Sequence, residues 1–148
     1  TRMATTCGER IVQMVWDDLK PRDILTRGAF MNAAAVQMAL GGSTNAAVHI
    51  IAMARRAGVD LTLDHLDAIG REVPVLANLF PSGDRLMEDF HYAGGLPALM
   101  SRITPHLFLD QRNVNGKTLG ENLEGVQVLD DAVIRPLANP VSASPTRL

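Results

Sequence analysis

The chain has 148 residues, 47% of them apolar and 20% charged, with a formal net charge of −2. That is enough chain to bury one core, and the proportions exclude a disordered or low-complexity protein. A pI of about 6.0, one cysteine, and apolar stretches far short of the roughly 20 residues a membrane span needs argue against nucleic-acid binding, an internal disulfide and a membrane partner.

Apolar residues at helical spacing predict a first helix from about Met3 to Leu19, with Ala4, Ile11, Val12, Val15 and Leu19 inward. Pro21 ends it, because a proline pushes the preceding residue out of helical geometry, and Pro21-Arg22-Asp23 reads as a turn. A second, alanine-rich helix is expected over 27–40, capped by Thr26. Gly41-Gly42 stops it. Ser43 or Thr44 then caps a third helix through Ala57, with Ala47, Ile50, Ile51 and Ala54 inward. A fourth helix runs from Thr62 to about Gly70, with Leu63, Leu66 and Ile69 inward. Residues 73–79 form a short β-prone run, and its Pro74 points to a strand start or an edge. Pro81-Ser82-Gly83 is a turn. Helix is expected from Asp84 to Tyr92, then a break at Gly94-Gly95, then a helix to about Ile103 with Pro97 in its first turn. Residues 114–117 read as a strand end or hairpin. Thr118 and Glu121 have capping-box spacing before a short helix. Three prolines in the last sixteen residues read as a linker or an extended exit strand. The fold class is α/β, helix-rich, with two or three short strands at most. Met14, Met38, Met53 and Met100 are expected as core filler.

One segment stands out chemically. In Leu40-Gly41-Gly42-Ser43-Thr44-Asn45 the glycines let a ligand approach the backbone. The two hydroxyls and the amides of a helix start can hold a carboxylate or phosphate. The same residues also read as a plain break between two helices. No Lys follows as a Walker-type loop requires. His49 falls one turn after Asn45, on the same helix face. It reads either as a group reaching a ligand held at Ser43 or as a solvent-facing histidine. Glu88 and His91 have the spacing of half a carboxylate-bridged metal site, but a second such pair is missing, and a charged solvent face is the competing reading. His65 and His106 stand alone. Cys7, near a helix start, is expected to be inert. The lone thiol argues for a reducing compartment, so a cytoplasmic location is expected. A start at Thr1 rather than Met points to processing or to a piece of something longer.

Several segments together resemble the dihydroxy-acid dehydratase and 6-phosphogluconate dehydratase family. They are Gly8-Glu9-Arg10-Ile11-Val12, the Gly-Gly-Ser-Thr-Asn segment, Ala57-Gly58-Val59-Asp60-Leu61-Thr62 and the run from Val73 to Leu79. Pro81-Ser82-Gly83, Met87-Glu88-Asp89 and Ala93-Gly94-Gly95 follow in the family's order. The stretches 114–122 and Val133-Ile134-Arg135-Pro136 complete it. Val15-Trp16-Asp17-Asp18-Leu19-Lys20-Pro21 and the run from Met87 to Leu96 resemble the sugar-acid branch, whose nearest type is L-arabinonate dehydratase.

The resemblance implies part of the N-terminal α/β domain of a two-domain dehydratase. Residues 1–132 would be the later part of that domain, and 133–148 the start of a linker toward a C-terminal domain. It implies a hydro-lyase that removes water from a 2,3-dihydroxy (sugar) acid to give a 2-keto-3-deoxy acid. The alternative substrates are the branched-chain dihydroxy acids, and the non-enzyme alternative is a small helical interaction module. An iron–sulfur cluster and Mg²⁺ are implied for the full-length enzyme. The family's Cys-Asp-Lys motif and its serine base are missing from this chain, so no metal ligand and no catalytic residue is assigned. The isolated piece is expected to be inactive. Ser43, Thr44, Asn45 and His49 are the expected substrate-orienting residues. The partner is a small-molecule acid, and the full-length parent is expected to form a homo-oligomer.

Overall fold

A computed structural model describes residues 2–142. Eight α-helices are described: α1 Arg2–Trp16, α2 Pro21–Ile24, α3 Arg27–Leu40, α4 Thr44–Arg56, α5 Leu63–Glu72, α6 Met87–Tyr92, α7 Gly95–Arg102 and α8 Leu119–Leu123. A 3₁₀ turn, Thr104–His106, follows α7. β-pairing among the described residues consists of isolated bridges: Val75 with Ser142, Ala77 with Ile134, Leu79 with Arg85, and Arg112 with Thr118. The helix-rich reading therefore holds, with even less strand than expected.

The centre of the fold is α3. Phe30, Ala34, Ala35, Met38 and Ala39 are all buried, and the helix packs against α4, α5 and α7. A helix apolar on most sides belongs inside, and its alanines let neighbours come close. Thr26 caps it as expected, its hydroxyl accepting from the Ala29 N–H at 3.1 Å. Asn32 is also buried. It donates to the Phe108 carbonyl at 2.9 Å and accepts from the Phe108 N–H at 2.7 Å. That matched pair satisfies a polar group inside the core.

The β-prone run 73–79 threads the core as extended chain, with Val73, Val75, Leu76, Ala77 and Leu79 buried. Its Leu76 N–H donates to the Ala39 carbonyl at 2.8 Å, at the end of α3. On its other side the Arg135 N–H donates to the Leu76 carbonyl at 2.9 Å, and the Asn78 N–H to the Val133 carbonyl at 2.9 Å. Val133 and Ile134 are buried with it. The expected segment beyond Ser142, including Pro145, lies outside the described residues.

Five local expectations are corrected. In α1 only Met14 is buried, while Ile11, Val12, Val15 and Trp16 are more than half exposed. Periodicity shows which residues share a face and says nothing about what covers it. Leu63 is 63% exposed, because it opens α5 ahead of the turn that reaches the core through Leu66. Met53 is likewise exposed. Residues Pro21–Ile24 form a single helical turn rather than a plain turn. Helix α6 starts at Met87, not Asp84. Asp84 instead accepts from the Asn78 side-chain amide at 2.7 Å, and the Asp89 carboxylate takes the Leu86 N–H at 2.8 Å, closing the first turn there.

Candidate functional site

The corner between α3 and α4 is built by its two glycines. Gly41 adopts φ +68°, the left-handed region that L side chains resist, and its N–H closes the end of α3 on the Gln37 and Met38 carbonyls. At Gly42 the constraint is space. A Cβ there would lie 2.8 Å from the Gln37 Cγ. The Gly42 N–H donates to the Gln37 carbonyl at 2.9 Å. The chain then turns straight into α4.

Ser43 occupies the N-cap position with extended backbone, but its hydroxyl makes no cap bond. The first turn of α4 carries no acidic residue, so its amides and the positive end of the helix dipole are not neutralised from within. Ser43, Thr44, Asn45 and His49 are all exposed. The structure thus brings the four predicted residues to one helix end, on the surface. The cleft between α4 and α5, about 470 Å³, is lined by Val48, Ile51, Arg55, Leu61, Thr62, Leu63 and Asp64 and not by these four. The arrangement is a donor-rich rim that can hold an oxyanion or hydroxyls.

One residue of this corner escaped sequence reasoning. Gln37 is buried at 6% exposure, and its side-chain amide donates to the Ser43 carbonyl at 3.1 Å. The only signal was a lone amide in an alanine-rich helix. Helix α6 holds Glu88 and His91 exposed to solvent, and the Tyr92 hydroxyl approaches the Glu88 carboxylate at 3.5 Å. His65 serves α5: its Nδ1 lies 3.1 Å from the Thr62 N–H, a local capping role. No helix among the described residues is long and apolar enough to cross a membrane.

Residues 1–122 match the family model described as "Dihydroxy-acid/6-phosphogluconate dehydratase N-terminal". The chain belongs to that family. It is 54% identical to the 6-deoxy-6-sulfo-D-gluconate dehydratase of Pseudomonas putida, over 95% of this chain and 24% of that protein. The L-arabinonate dehydratase of Rhizobium leguminosarum bv. trifolii is 46% identical, over 96% of this chain and 25% of its own length. The dihydroxy-acid dehydratase of Caldicellulosiruptor bescii is also 46% identical, over 95% and 26% respectively. The chain therefore spans about a quarter of the length of these curated relatives. The resemblance drawn from its motifs is the same family, and the sugar-acid members stand among its close relatives.

Proposed function

We propose that this chain is part of a hydro-lyase that dehydrates 2,3-dihydroxy sugar acids to 2-keto-3-deoxy acids. The C2 proton and the C3 hydroxyl leave together as water, and the resulting enol becomes the keto acid. The observation that carries the chain's own role is the uncapped start of α4 beside Gly41-Gly42. Its free amide donors and the Ser43, Thr44 and Asn45 side chains suit a polyhydroxy carboxylate. His49, one turn further on, extends the same face. These residues orient the acid, and proton removal belongs to a part of the enzyme outside this chain. Sugar acids are favoured over branched-chain acids because the 54% identical relative is named for a sulfo-sugar acid. The family assignment sets aside the helical interaction module.

The iron–sulfur cluster and Mg²⁺ that the family resemblance implies do not fit the residues here. Cys7 is exposed and alone. Among the described residues no three His, Cys, Asp or Glu side chains come together as a ligand set. In this proposal both groups are held by other parts of the enzyme, and no step is derived through them.

A chimera tests the proposal. This chain replaces the matching quarter of the Pseudomonas putida enzyme, and keto-acid formation is followed with sugar acids and with a branched-chain 2,3-dihydroxy acid. Turnover of sugar acids, reduced at least about tenfold by Asn45→Ala, is the expected result; losing one oriented hydrogen bond typically costs that much. Identical kinetics in the Asn45→Ala chimera would leave the corner as a helix junction and nothing more.

A further inference from the structure

Three arginines in the described structure are half-buried: Arg10, Arg102 and Arg135. Two of them have carboxylate partners. Arg10 pairs with Asp17 at 3.1 Å, and Arg102 pairs with Asp131. Arg135 has neither an ion pair nor a side-chain hydrogen bond among the described residues, and its Nε is buried out of reach of solvent. The carboxylates four and five positions before it in the chain have other partners, Asp131 with Arg102 and Asp130 with the Ala132 N–H at 2.8 Å. A guanidinium stays charged at any accessible pH and presents five donors. In Arg135 it is the Nε, as in Arg102, that is withdrawn from water without an acceptor; burying that donor unpaired is costly, and an anion can satisfy it.

The main chain at Arg135 is anchored. Val133 and Ile134 are buried just before it, the Arg135 N–H is bonded to the Leu76 carbonyl at 2.9 Å, and Pro136 follows. Leu76 in turn donates to Ala39 at the end of α3, and Val75 Cγ1 lies 3.4 Å from where a Cβ on Gly41 would sit. Arg135 is thus anchored to the same extended segment that supports the Gly41-Gly42 corner.

We propose that Arg135 is an oxyanion-binding residue whose ligand is a carboxylate that residues 2–142 do not supply. The dehydratase reading enters only through the choice of a sugar acid as a probe; the unpaired guanidinium stands without it. A planar fork of donors matches a carboxylate in two-point contact, which an ammonium could not reproduce. The carboxylate comes either from a sugar acid or from an acidic side chain elsewhere in the enzyme.

The test is arginine Nε–Hε NMR on the 148-residue chain. The Arg135 signal is assigned by its loss in Arg135→Lys and independently by triple-resonance labelling, should that variant not fold. Sodium gluconate, sodium acetate and sodium chloride are titrated at matched ionic strength. A saturable shift of the Arg135 signal with gluconate alone supports a sugar-acid ligand. The same saturable shift with acetate supports the carboxylate site and assigns it to an acidic side chain. Carboxylates moving the signal no more than chloride does would overturn the proposal. This readout is blind to Asn45, so its failure is separate from failure of the chimera.

Discussion

The Gln37 side chain, buried inside α3, donates to the main-chain carbonyl of Ser43 across the Gly41-Gly42 corner at 3.1 Å. It ties the end of one helix to the start of the next from within. The Ser43 carbonyl also accepts from the Ala46 N–H at 3.0 Å, so it keeps one partner if the amide is lost. Gln37→Ala removes the tie and leaves a cavity, with an expected loss of about 2 kcal/mol. Gln37→Met keeps most of the volume and should lose only about 1 kcal/mol. It also removes the Gln37 Oε1, which is buried without a partner. Urea unfolding of the three proteins measures the order, and a Gln37→Met protein as weak as Gln37→Ala would count against the cavity as a separate cost and leave the hydrogen bond as the main term.

Gly42 and Gly8 should respond oppositely to alanine. A Cβ at Gly42 would crowd the Gln37 Cγ at 2.8 Å and the Gln37 carbonyl oxygen at 3.2 Å, so the corner must shift. We expect Gly42→Ala to cost about 1–3 kcal/mol and to move the amide signals of Ser43, Thr44 and Asn45. Gly8 has nothing within 4 Å and lies inside α1. Gly8→Ala should be neutral or stabilise by up to about 1 kcal/mol, through helix propensity alone. Thermal melts of the pair decide this, and equal effects would contradict the packing described.

Helix α8 carries a pH-dependent cap. The Glu121 carboxylate accepts from the Thr118 N–H at 2.7 Å and from the Thr118 hydroxyl at 2.8 Å. Those hydrogen bonds, the backbone one first, hold its pKa below the ordinary 4.5. A lowered folded-state value means the cap's contribution is complete above about 4.5 and is lost as pH falls through the lowered value. Carboxyl NMR should show Glu121 titrating below 4.5, with Thr118 amide protection falling over the same range. Glu121→Gln should keep the cap and flatten that dependence; an unchanged pH profile in the variant would remove Glu121 as its source.

What was legible in the sequence was local. The caps at Thr26 and Thr118 were readable because each is closed by residues within three positions. The glycine stop at Gly41 was readable because its positive φ is a property of one residue. The start of α6 was misplaced because Asp84 is drawn off by Asn78, six positions back. The candidate site followed the same division. Ser43, Thr44, Asn45 and His49 were placed at one helix end from spacing alone, whereas Gln37 beneath them was invisible, since its partner lies around a corner.

By itself, then, the sequence determined the order of the helices, most of their ends and the family, because hydrogen bonds spanning a few residues and ordered motifs are written in neighbouring positions. The tertiary structure alone decided that α3 is the buried centre and that most of the apolar face of α1 is exposed. It alone decided that the Arg135 side chain has no partner among the described residues while those of Arg10 and Arg102 have carboxylates. Burial and charge pairing depend on which surfaces meet, and that is set by contacts between segments far apart in the chain.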